Sequence, residues 1–457
     1  MISDDFNTKL LTGFIKSQEN LSNTRFIQDT TTNWLPKAVC TRSKADFAEM
    51  SFLEFLESAI FYFMAPCVGE KLYRNNLFKK VQPEAIKEKV TELIPKSVDI
   101  IKNDKTLTDA VKNQSIATKA GITLACAAVP VAEYNLSFAK NLFTLKTFDK
   151  ANFNDIANLE GDENETKAQK ELVENHAKTQ LKKAVGYSTA ALLGGLALAK
   201  YGAKSKNAMK FSEALLEPGK KISSLFGFDK KAKTHAVDKG GKFAKNADEF
   251  LNEYLNLDFD CSKGKMDLSK GQLALTAIAG LFGYSSAAKD RGELDYKEVW
   301  TRVPLVVFYT IFGGSMFDWA FKNILAKKGK FPDLIKKGVD GSVQKIPSSD
   351  KLEELAADIA KKKGTNIKDE FKRLTKEKAI ITGVPYAFSL LFMGFSLSLI
   401  TRLWTQYRYN HQEKNPNNKS EFQKFHNEFV KHIDKNAFKK FTNGENKVSN
   451  ERLNLSA

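Results

Sequence analysis

The sequence is poor in the residues from which metal sites, disulfide frameworks and nucleotide-binding loops are built. It has four cysteines with no CxxC pair, five histidines with no HExxH pair, and no GxxxxGKS/T or GxSxG motif. Metal ions, disulfides, phosphates and hydrolase nucleophiles each need partner residues at a defined spacing. We therefore predict no catalytic, cofactor-binding or metal-binding residues.

Arginine is scarce in a chain that is otherwise strongly basic. Nine of the 71 basic residues are arginine, and the formal net charge is +17. Base-edge readout and bidentate phosphate recognition favour the guanidinium group, and no RNP-like motif is present. The composition argues against a nucleic-acid partner. An excess of lysine suits an anionic lipid surface or an acidic protein partner instead.

The N-terminus lacks the features of a cleaved signal peptide. Asp4 and Asp5 stand where a signal peptide carries positive charge, and no apolar run follows them. Such a segment needs a basic start followed by an apolar stretch. Membrane insertion would then depend on internal apolar segments.

Charged side chains are missing from several internal runs. Residues 379–401 extend for 23 positions between Lys378 and Arg402 without one. A helix of this length rises about 34 Å, which matches the ~30 Å hydrocarbon core of a bilayer. We interpret the run as a membrane span. Four further apolar blocks cover residues 120–132, 184–199, 271–288 and 303–317.

Two other segments have one-sided helical patterns. In residues 51–64 apolar side chains recur every three or four positions, while Glu54 and Glu57 take the other side. The spacing predicts an amphipathic helix that ends near Pro66 and lies on a membrane surface or packs on other helices. A similar stripe in the basic C-terminal tail, which suits anionic lipid or docking onto the bundle, consists of Phe422, Phe425, Phe429 and Ile433.

Aromatic residues bracket two of the apolar blocks. Trp300 and Trp319 flank residues 303–317, and Trp404 with Tyr407 follows residues 379–401. Tryptophan and tyrosine are enriched where a membrane helix leaves the hydrocarbon. On one helix, Trp300 and Trp319 are separated by roughly 28 Å. We predict these four residues as interface anchors.

Small residues recur four positions apart inside the blocks, a pattern typical of closely packed membrane helices. It predicts a bundle and, through the same faces, an oligomer. A competing interpretation is that glycine and alanine are simply common in membrane spans. The predicted packing residues are Ala191, Gly195, Ala199, Ala279, Gly283, Gly394 and Ser398, with Gly313 and Gly314 as close-packing or helix-softening positions.

Asp318 is the candidate intramembrane functional acid. Ionisable residues at membrane depth usually line an ion or substrate route. Asp318 lies next to Trp319 and four residues before Lys322. This spacing predicts an ion pair near the membrane interface.

The polar segments between the blocks are rich in lysine. Residues 200–270 hold 15 basic and 10 acidic residues, and residues 322–378 hold 16 and 9. The positive-inside rule favours a cytoplasmic position for both inserts. We predict a polar and amphipathic region at 1–115, a membrane-embedded bundle with these inserts at 116–402, and a basic tail at 403–457.

The patterns together predict an all-α, multi-pass membrane helix bundle with four to six membrane-inserted helices. We expect an integral membrane protein, located in the cytoplasmic or inner membrane if the chain is bacterial, that acts as a non-enzymatic structural or interaction component. One alternative is a transporter or channel subunit. A second is a soluble helical effector or toxin-like protein that hides residues 271–288 and 303–317 as a hairpin until it inserts.

Overall fold

Helices dominate the structure of the chain. In the computed structural model they make up 83% of the described residues, which contain two isolated β-bridges and no strand. The predicted all-α fold class is therefore confirmed. Contacts divide the chain into two units, Met1–Thr401 and Arg402–Ala457. The structure describes residues 6–19, 23–61, 67–159, 167–230, 239–260, 266–338 and 343–413.

The N-terminal region consists of helices of moderate length followed by short ones. Serine side chains begin two of them, because Ser43 Oγ accepts a hydrogen bond from the Asp46 amide at 3.1 Å and Ser97 Oγ accepts one from the Ile100 amide. Such caps satisfy amides that have no partner within the helix. The elements are α1 (Phe6–Glu19), α2 (Asn23–Val39), α3 (Lys44–Ala59), a π-helical segment (Cys67–Leu77), α4 (Phe78–Lys80), α5 (Lys87–Leu93) and α6 (Val98–Asn103).

The middle of the chain forms the apolar core. The block at residues 120–132 is divided at Cys126 and Ala127, and Pro130 lies in the first turn of the following helix, where a missing amide hydrogen costs nothing. The elements are α7 (Asp109–Ala125), α8 (Ala128–Phe148), α9 (Phe153–Ala157), α10 (Lys167–Tyr201), α11 (Lys206–Leu216), α12 (Pro218–Phe226), α13 (Lys239–Tyr254) and α14 (Lys270–Lys289).

The C-terminal part contains two long helices, each interrupted by a π-helical segment. A small apolar core between them includes Leu334, Leu352 and Leu374. The elements are α15 (Glu293–Phe308), a π-helical segment (Tyr309–Gly313), α16 (Gly314–Lys327), α17 (Leu352–Lys363), α18 (Ile367–Ser389), a second π-helical segment (Leu390–Ser396) and α19 (Leu397–Glu413).

Three helices in the described chain are long and apolar enough to cross a membrane: Asp109–Phe148, Glu293–Lys327 and Ile367–His411. The sequence predicted four to six. The blocks at residues 184–199 and 271–288 do form helices, as parts of α10 and α14. Neither helix is among the three that are long and apolar enough to cross a membrane.

The first of the three candidates, Asp109–Phe148, is surrounded by protein. Three of its charged residues, Lys119, Glu133 and Lys140, are 1%, 2% and 8% exposed. Lys119 Nζ donates to the carbonyl oxygen of Ile94 at 2.8 Å and pairs with Asp258 at 2.9 Å. A charge buried at this depth persists only with such partners or by changing its protonation state. This helix is therefore the centre of the bundle.

Two glycines let α7 and α10 cross with their backbones in contact. A Cβ atom at Gly195 would lie 2.3 Å from the carbonyl oxygen of Gly121, and one at Gly121 would lie 2.4 Å from that of Gly195. No side chain fits at either position without moving a helix. Gly194, the next residue, is different, because a Cβ atom there would meet only Leu124 at 3.5 Å.

We expect Gly195→Ala and Gly194→Ala to have opposite effects on stability. Alanine favours a helix over glycine by about 0.5–1 kcal/mol, and Gly194→Ala gains this without a clash. Gly195→Ala forces the two backbones apart, which costs about 1–3 kcal/mol. Thermal unfolding of both variants in detergent measures the difference. Equal midpoints would contradict the crossing.

Candidate membrane-facing surface

Two of the three long apolar helices keep their apolar side chains on the outside of the protein. None of the most apolar window of Glu293–Lys327 is buried, and 17% of that of Ile367–His411 is buried, against 72% for Asp109–Phe148. Water-soluble proteins rarely expose large contiguous apolar patches. The outer faces of these two helices form the candidate membrane-facing surface.

The exposed apolar residues form one band on each helix. The first band runs from Leu305 to Ile324 and the second from Ile380 to Ile400, which corresponds to about 28 Å and about 30 Å along the helix axes. Both lengths match the hydrocarbon core of a bilayer. Band residues between 38% and 67% exposed are Leu305, Phe308, Met316, Trp319, Ile324, Ile380, Val384, Phe388, Leu391, Phe395, Leu399 and Ile400.

Aromatic rings join the two helices. Phe317 stacks on Phe388 with ring centroids 3.9 Å apart, and Tyr309 lies 5.2 Å from Phe392. The Tyr309 hydroxyl and Ser389 Oγ are hydrogen-bonded at 2.5 Å. Farther along, the end of α16 and the start of α18 share one small apolar core. The helices are therefore antiparallel, and their connecting segment lies at one end of the pair.

The π-helical segments coincide with these contacts. In the first, the ring of Tyr309 covers Gly313, where a Cβ atom would lie 2.6 Å from the ring. In the second, Gly394 lies against Pro36 of α2, with 3.0 Å to a hypothetical Cβ atom. π-helical turns widen a helix locally and often occur at functional positions. Here they make room for two rings.

The predicted packing residues have different surroundings. Gly195 and Ala199 are buried against α7, and a Cβ atom at Gly283 would lie 2.0 Å from the carbonyl oxygen of Tyr134. Ala191 and Ala279 are half-buried, and Ser398 is 2% exposed. Gly314 has no close neighbour beyond the Tyr309 carbonyl oxygen. The faces at Gly195 and Gly283 thus contact helices of the same chain.

Two glycines at these crossings are not among the packing residues predicted from the sequence. Gly121 faces Gly195, and a Cβ atom at Gly280 would lie 2.9 Å from Glu133 Oε1. The available signal was the four-residue spacing of Gly121 with Ala125 and of Thr276 with Gly280. The same four-residue spacing predicted Gly195 and Gly283 as packing residues.

The four predicted anchors are partly or largely exposed. Trp319 is 67% exposed, and Trp300 is 42% exposed while its Nε1 donates to Ser285 Oγ at 2.8 Å. In the C-terminal unit, Trp404 stacks on Tyr407 with 5.4 Å between ring centroids. Rings held this way present an apolar face and a polar edge together, as an interfacial position requires.

Asp318 forms the ion pair that its spacing predicts. Lys322 Nζ lies 2.5 Å from Asp318 Oδ2, and the two side chains are 27% and 38% exposed, respectively. Both residues lie within the exposed band, Asp318 six residues and Lys322 two residues before its last residue, Ile324. The acid is thus neutralised by a neighbour one helical turn away.

The segment between the two helices presents lysines to solvent and keeps several acids engaged. Arg373 binds Asp333, Glu370 and Glu377 at 2.6–2.7 Å. Among the described residues of 322–378, twelve lysines and five carboxylates are exposed, so this part of the surface is more basic than its composition implies. The lysines are Lys327, Lys328, Lys330, Lys336, Lys337, Lys345, Lys351, Lys361, Lys362, Lys363, Lys368 and Lys376.

A buried ionic network holds the start of the first long helix. Arg291, which is 1% exposed, precedes α15 and contacts Glu49 of α3 at 2.9 Å and Asp295 at 3.2 Å. Its Nη1 also donates to Asn141 Oδ1 of α8 at 3.0 Å. Burial alone lowers the pKa of Arg291, but the charges of Glu49 and Asp295 outweigh it, and the pKa is raised.

A second arginine continues the network on the same side. Arg42 pairs with both oxygens of Glu298 in α15 at 2.9 and 3.2 Å and with Asp46 at 3.2 Å. The ring of Phe153 lies within 6 Å of both guanidinium groups. Such bidentate pairs fix geometry as well as charge. The network therefore sets the direction in which Glu293–Lys327 leaves the bundle.

We expect Arg291→Met to destabilise the protein by about 3–5 kcal/mol, because it leaves Glu49 and Asp295 buried without their partner. Lys178→Met is the control, since Lys178 pairs with Glu174 on the surface of α10 and surface pairs contribute little. Thermal unfolding in detergent compares the two. A midpoint for Arg291→Met as close to wild type as that of Lys178→Met would contradict the role of the network.

Comparisons of the chain with protein-family models, with curated proteins and with solved structures find no match. Among the residues that the structure describes, no three His, Cys, Asp or Glu side chains are grouped so as to hold a metal ion. The features that bear on function are therefore the exposed apolar surface and the charges next to it.

Proposed function

We propose that the chain is a multi-pass integral membrane protein, held in the bilayer by Glu293–Lys327 and Ile367–His411, that serves as a non-enzymatic structural or interaction component. The observation that carries the proposal is the pair of exposed apolar bands, each about as long as the hydrocarbon core is thick. In water, the exposure of both apolar bands to solvent would be unfavourable. In lipid they need no further partner.

The lysines of residues 322–378 would make the contact with anionic lipid headgroups. They lie at the end of the two helices where α16 stops and α18 begins, which is where lipid headgroups would be. An anionic surface attracts each lysine near it by about 1 kcal/mol. We infer that this segment contacts anionic headgroups on the cytoplasmic side, the side that the positive-inside rule favours.

The alternatives receive less support. A soluble protein that conceals its hairpin would bury residues 303–317, whereas most of these side chains are half-buried or exposed. A transport route through Asp318 would need an acid free of local pairing, whereas Asp318 binds Lys322. The lipid-binding experiment below distinguishes anionic lipid from an acidic protein as the partner of these lysines.

We expect Leu391→Lys to reduce stable membrane integration. Leu391 is 56% exposed and lies at the middle of the second band, and a lysine at the centre of a span costs about 3 kcal/mol. Leu225→Lys is the matched control, because Leu225 of α12 is 82% exposed outside both bands. Carbonate extraction of membranes measures the released fraction of each variant. Release of the wild-type chain itself would overturn the proposal.

We expect the triple variant Lys361→Gln/Lys362→Gln/Lys368→Gln to bind anionic lipid at least roughly tenfold more weakly at low salt, because three charges are removed from the surface. Retention of the detergent-solubilised full chain on phosphatidylserine-coated beads, with phosphatidylcholine beads as reference, provides the measurement.

The control for this variant removes the same charge elsewhere. Lys89→Gln/Lys96→Gln/Lys105→Gln changes three exposed lysines of the N-terminal region. It should leave retention on phosphatidylserine close to wild type. Equal losses in both variants, or retention insensitive to salt, would contradict a headgroup contact by residues 322–378.

A further inference from the structure

Two short helices in the Lys-rich insert, α12 and α13, keep large apolar side chains on the outside of the protein. Leu225 and Phe226, at the end of α12, are 82% and 61% exposed. Phe243 and Phe250 of α13 are 66% and 48% exposed. Single exposed apolar residues are common on protein surfaces. A group of large ones that lie together indicates a contact with a partner or a membrane.

Ring contacts join these residues into one surface. Phe226 stacks on Phe228 with 5.7 Å between ring centroids, and Phe228 meets Phe243 edge-on at 6.1 Å. Gly227, which has a φ of 68°, ends α12 between the first two rings. We call Leu225, Phe226, Phe228 and Phe243 the insert patch.

An apolar stripe on α13 leads from the insert patch to the first exposed band. Its members recur every three or four residues and therefore share one face of the helix. They are Phe243, Ala247, Phe250 and Tyr254. At the far end, Phe250 and Tyr254 lie 6.1 and 5.0 Å from the ring of Phe312. Phe312 lies 5.6 Å from Phe308, a band residue. The insert patch is thus continuous with the candidate membrane-facing surface.

The two helices pack on each other through small and polar residues. A Cβ atom at Gly219 of α12 would lie 2.0 Å from the carbonyl oxygen of Leu251 in α13. Ser223 Oγ of α12 donates to Asp248 of α13. The residues of the insert patch take no part in these two contacts. The helix pair therefore supports the patch without covering it.

Charged side chains occupy the other face of α13 and the flanks of the patch. Lys245 and Glu249, which lie opposite the apolar stripe by their spacing, form an exposed pair at 3.8 Å. Lys221 and Lys230 are exposed and flank the patch in sequence. A helix with phenylalanine and leucine on one face and lysine among its polar residues is typical of a helix that lies in the bilayer interface.

We propose that α12 and α13 lie along the surface of the bilayer, with the insert patch among the lipid headgroups and the upper parts of the acyl chains. The proposal rests on the proposed function, because the bilayer is the one that holds Glu293–Lys327 and Ile367–His411. Lipid is the occupant because the patch continues, through Phe312, into the surface proposed to face lipid.

This contact differs from a membrane span. Interfacial helices bury their apolar face by about 5–10 Å and do not cross the hydrocarbon. The two long helices hold the chain without it, so its loss does not release the chain in carbonate. Leu225→Lys therefore remains a control for integration. The insert at residues 200–270, which the sequence describes as polar, becomes a second place where the chain meets lipid.

Fluorescence quenching by spin-labelled lipid, in the full chain reconstituted into liposomes, tests the proposal. An environment-sensitive fluorophore is attached at Phe243→Cys or Leu225→Cys, in a background in which the four native cysteines are alanine. Phosphatidylcholine with a nitroxide near the headgroup end of its acyl chain should quench both labels at least about twofold. Glu249→Cys, on the polar face of the same helix, is the matched control and should stay bright.

A label at Leu391→Cys, at the middle of the second band, separates the two proposals. It should be quenched best by a nitroxide near the end of the acyl chain. Quenching there without quenching at Phe243→Cys and Leu225→Cys overturns the interfacial contact alone. Absence of quenching at Leu391→Cys overturns the proposed function. Disulfide crosslinking between chains at an unquenched Phe243→Cys would show that a second copy covers the patch instead.

We expect Phe226→Asp/Phe243→Asp to reduce the quenching of the label at Leu225→Cys at least about threefold, because charged side chains withdraw from the acyl chains. Phe226→Leu/Phe243→Leu is the conservative control and should retain the quenching. Circular dichroism checks that both variants keep their helices. Equal quenching in the two variants would contradict a lipid contact made by the patch.

Discussion

A long, largely apolar helix needs apolar surroundings along most of its length, and the chain meets this need in two ways. Asp109–Phe148 finds its surroundings inside the protein, where α10 and α14 cover it. Glu293–Lys327 and Ile367–His411 cover each other along one side, through Tyr309, Phe317 and their ring partners. Their outer faces stay uncovered, and the remaining surroundings must come from outside the described protein.

The interior of the bundle is consistent with one buried long helix and two long helices whose outer faces are exposed. Close glycine crossings remove the space for lipid or water between α7, α8, α10 and α14. The buried charges lie where partners from several helices converge, as at Arg291 with Glu49 and Asn141. These contacts hold the origin of the first exposed helix rigidly on the bundle. The exposed bands are thus displayed by a scaffold in which buried charges such as Arg291 and Lys119 are paired with carboxylates from other parts of the chain.

Local sequence patterns predicted the elements better than their environments. The uncharged runs at residues 303–317 and 379–401 correctly indicated long helices, and the spacing of Asp318 and Lys322 indicated their pairing. The run at 120–132 has the same local appearance, yet its helix is largely buried, because Lys119, Glu133 and Lys140 at and beyond its ends turn inward. Whether an apolar face meets lipid or another helix depends on partners far away in sequence.

The remaining features follow from such distant partners. Gly121 allows a close helix crossing only because Gly195 faces it. Arg291 is paired in the interior because Glu49, 242 positions earlier, is buried beside it. The π-helical segments likewise have no local signature, since they accommodate the Tyr309 ring and Pro36. The amphipathic pattern of residues 51–64 is described as far as residue 61. Phe63, Met64 and Pro66, and the stripe of Phe422, Phe425, Phe429 and Ile433, lie outside the described residues.

The most direct measurement of the central claim is the collision of nitroxide labels with oxygen and with a water-soluble nickel complex, in the full chain reconstituted into liposomes. Labels at Leu305, Met316 and Leu399 report on the two bands, and one at the buried Ile381 gives the value for a position inside the protein. The account predicts frequent collision with oxygen and little with nickel at the three band positions. Frequent collision with nickel there, or protection from both reagents as at Ile381, would contradict it.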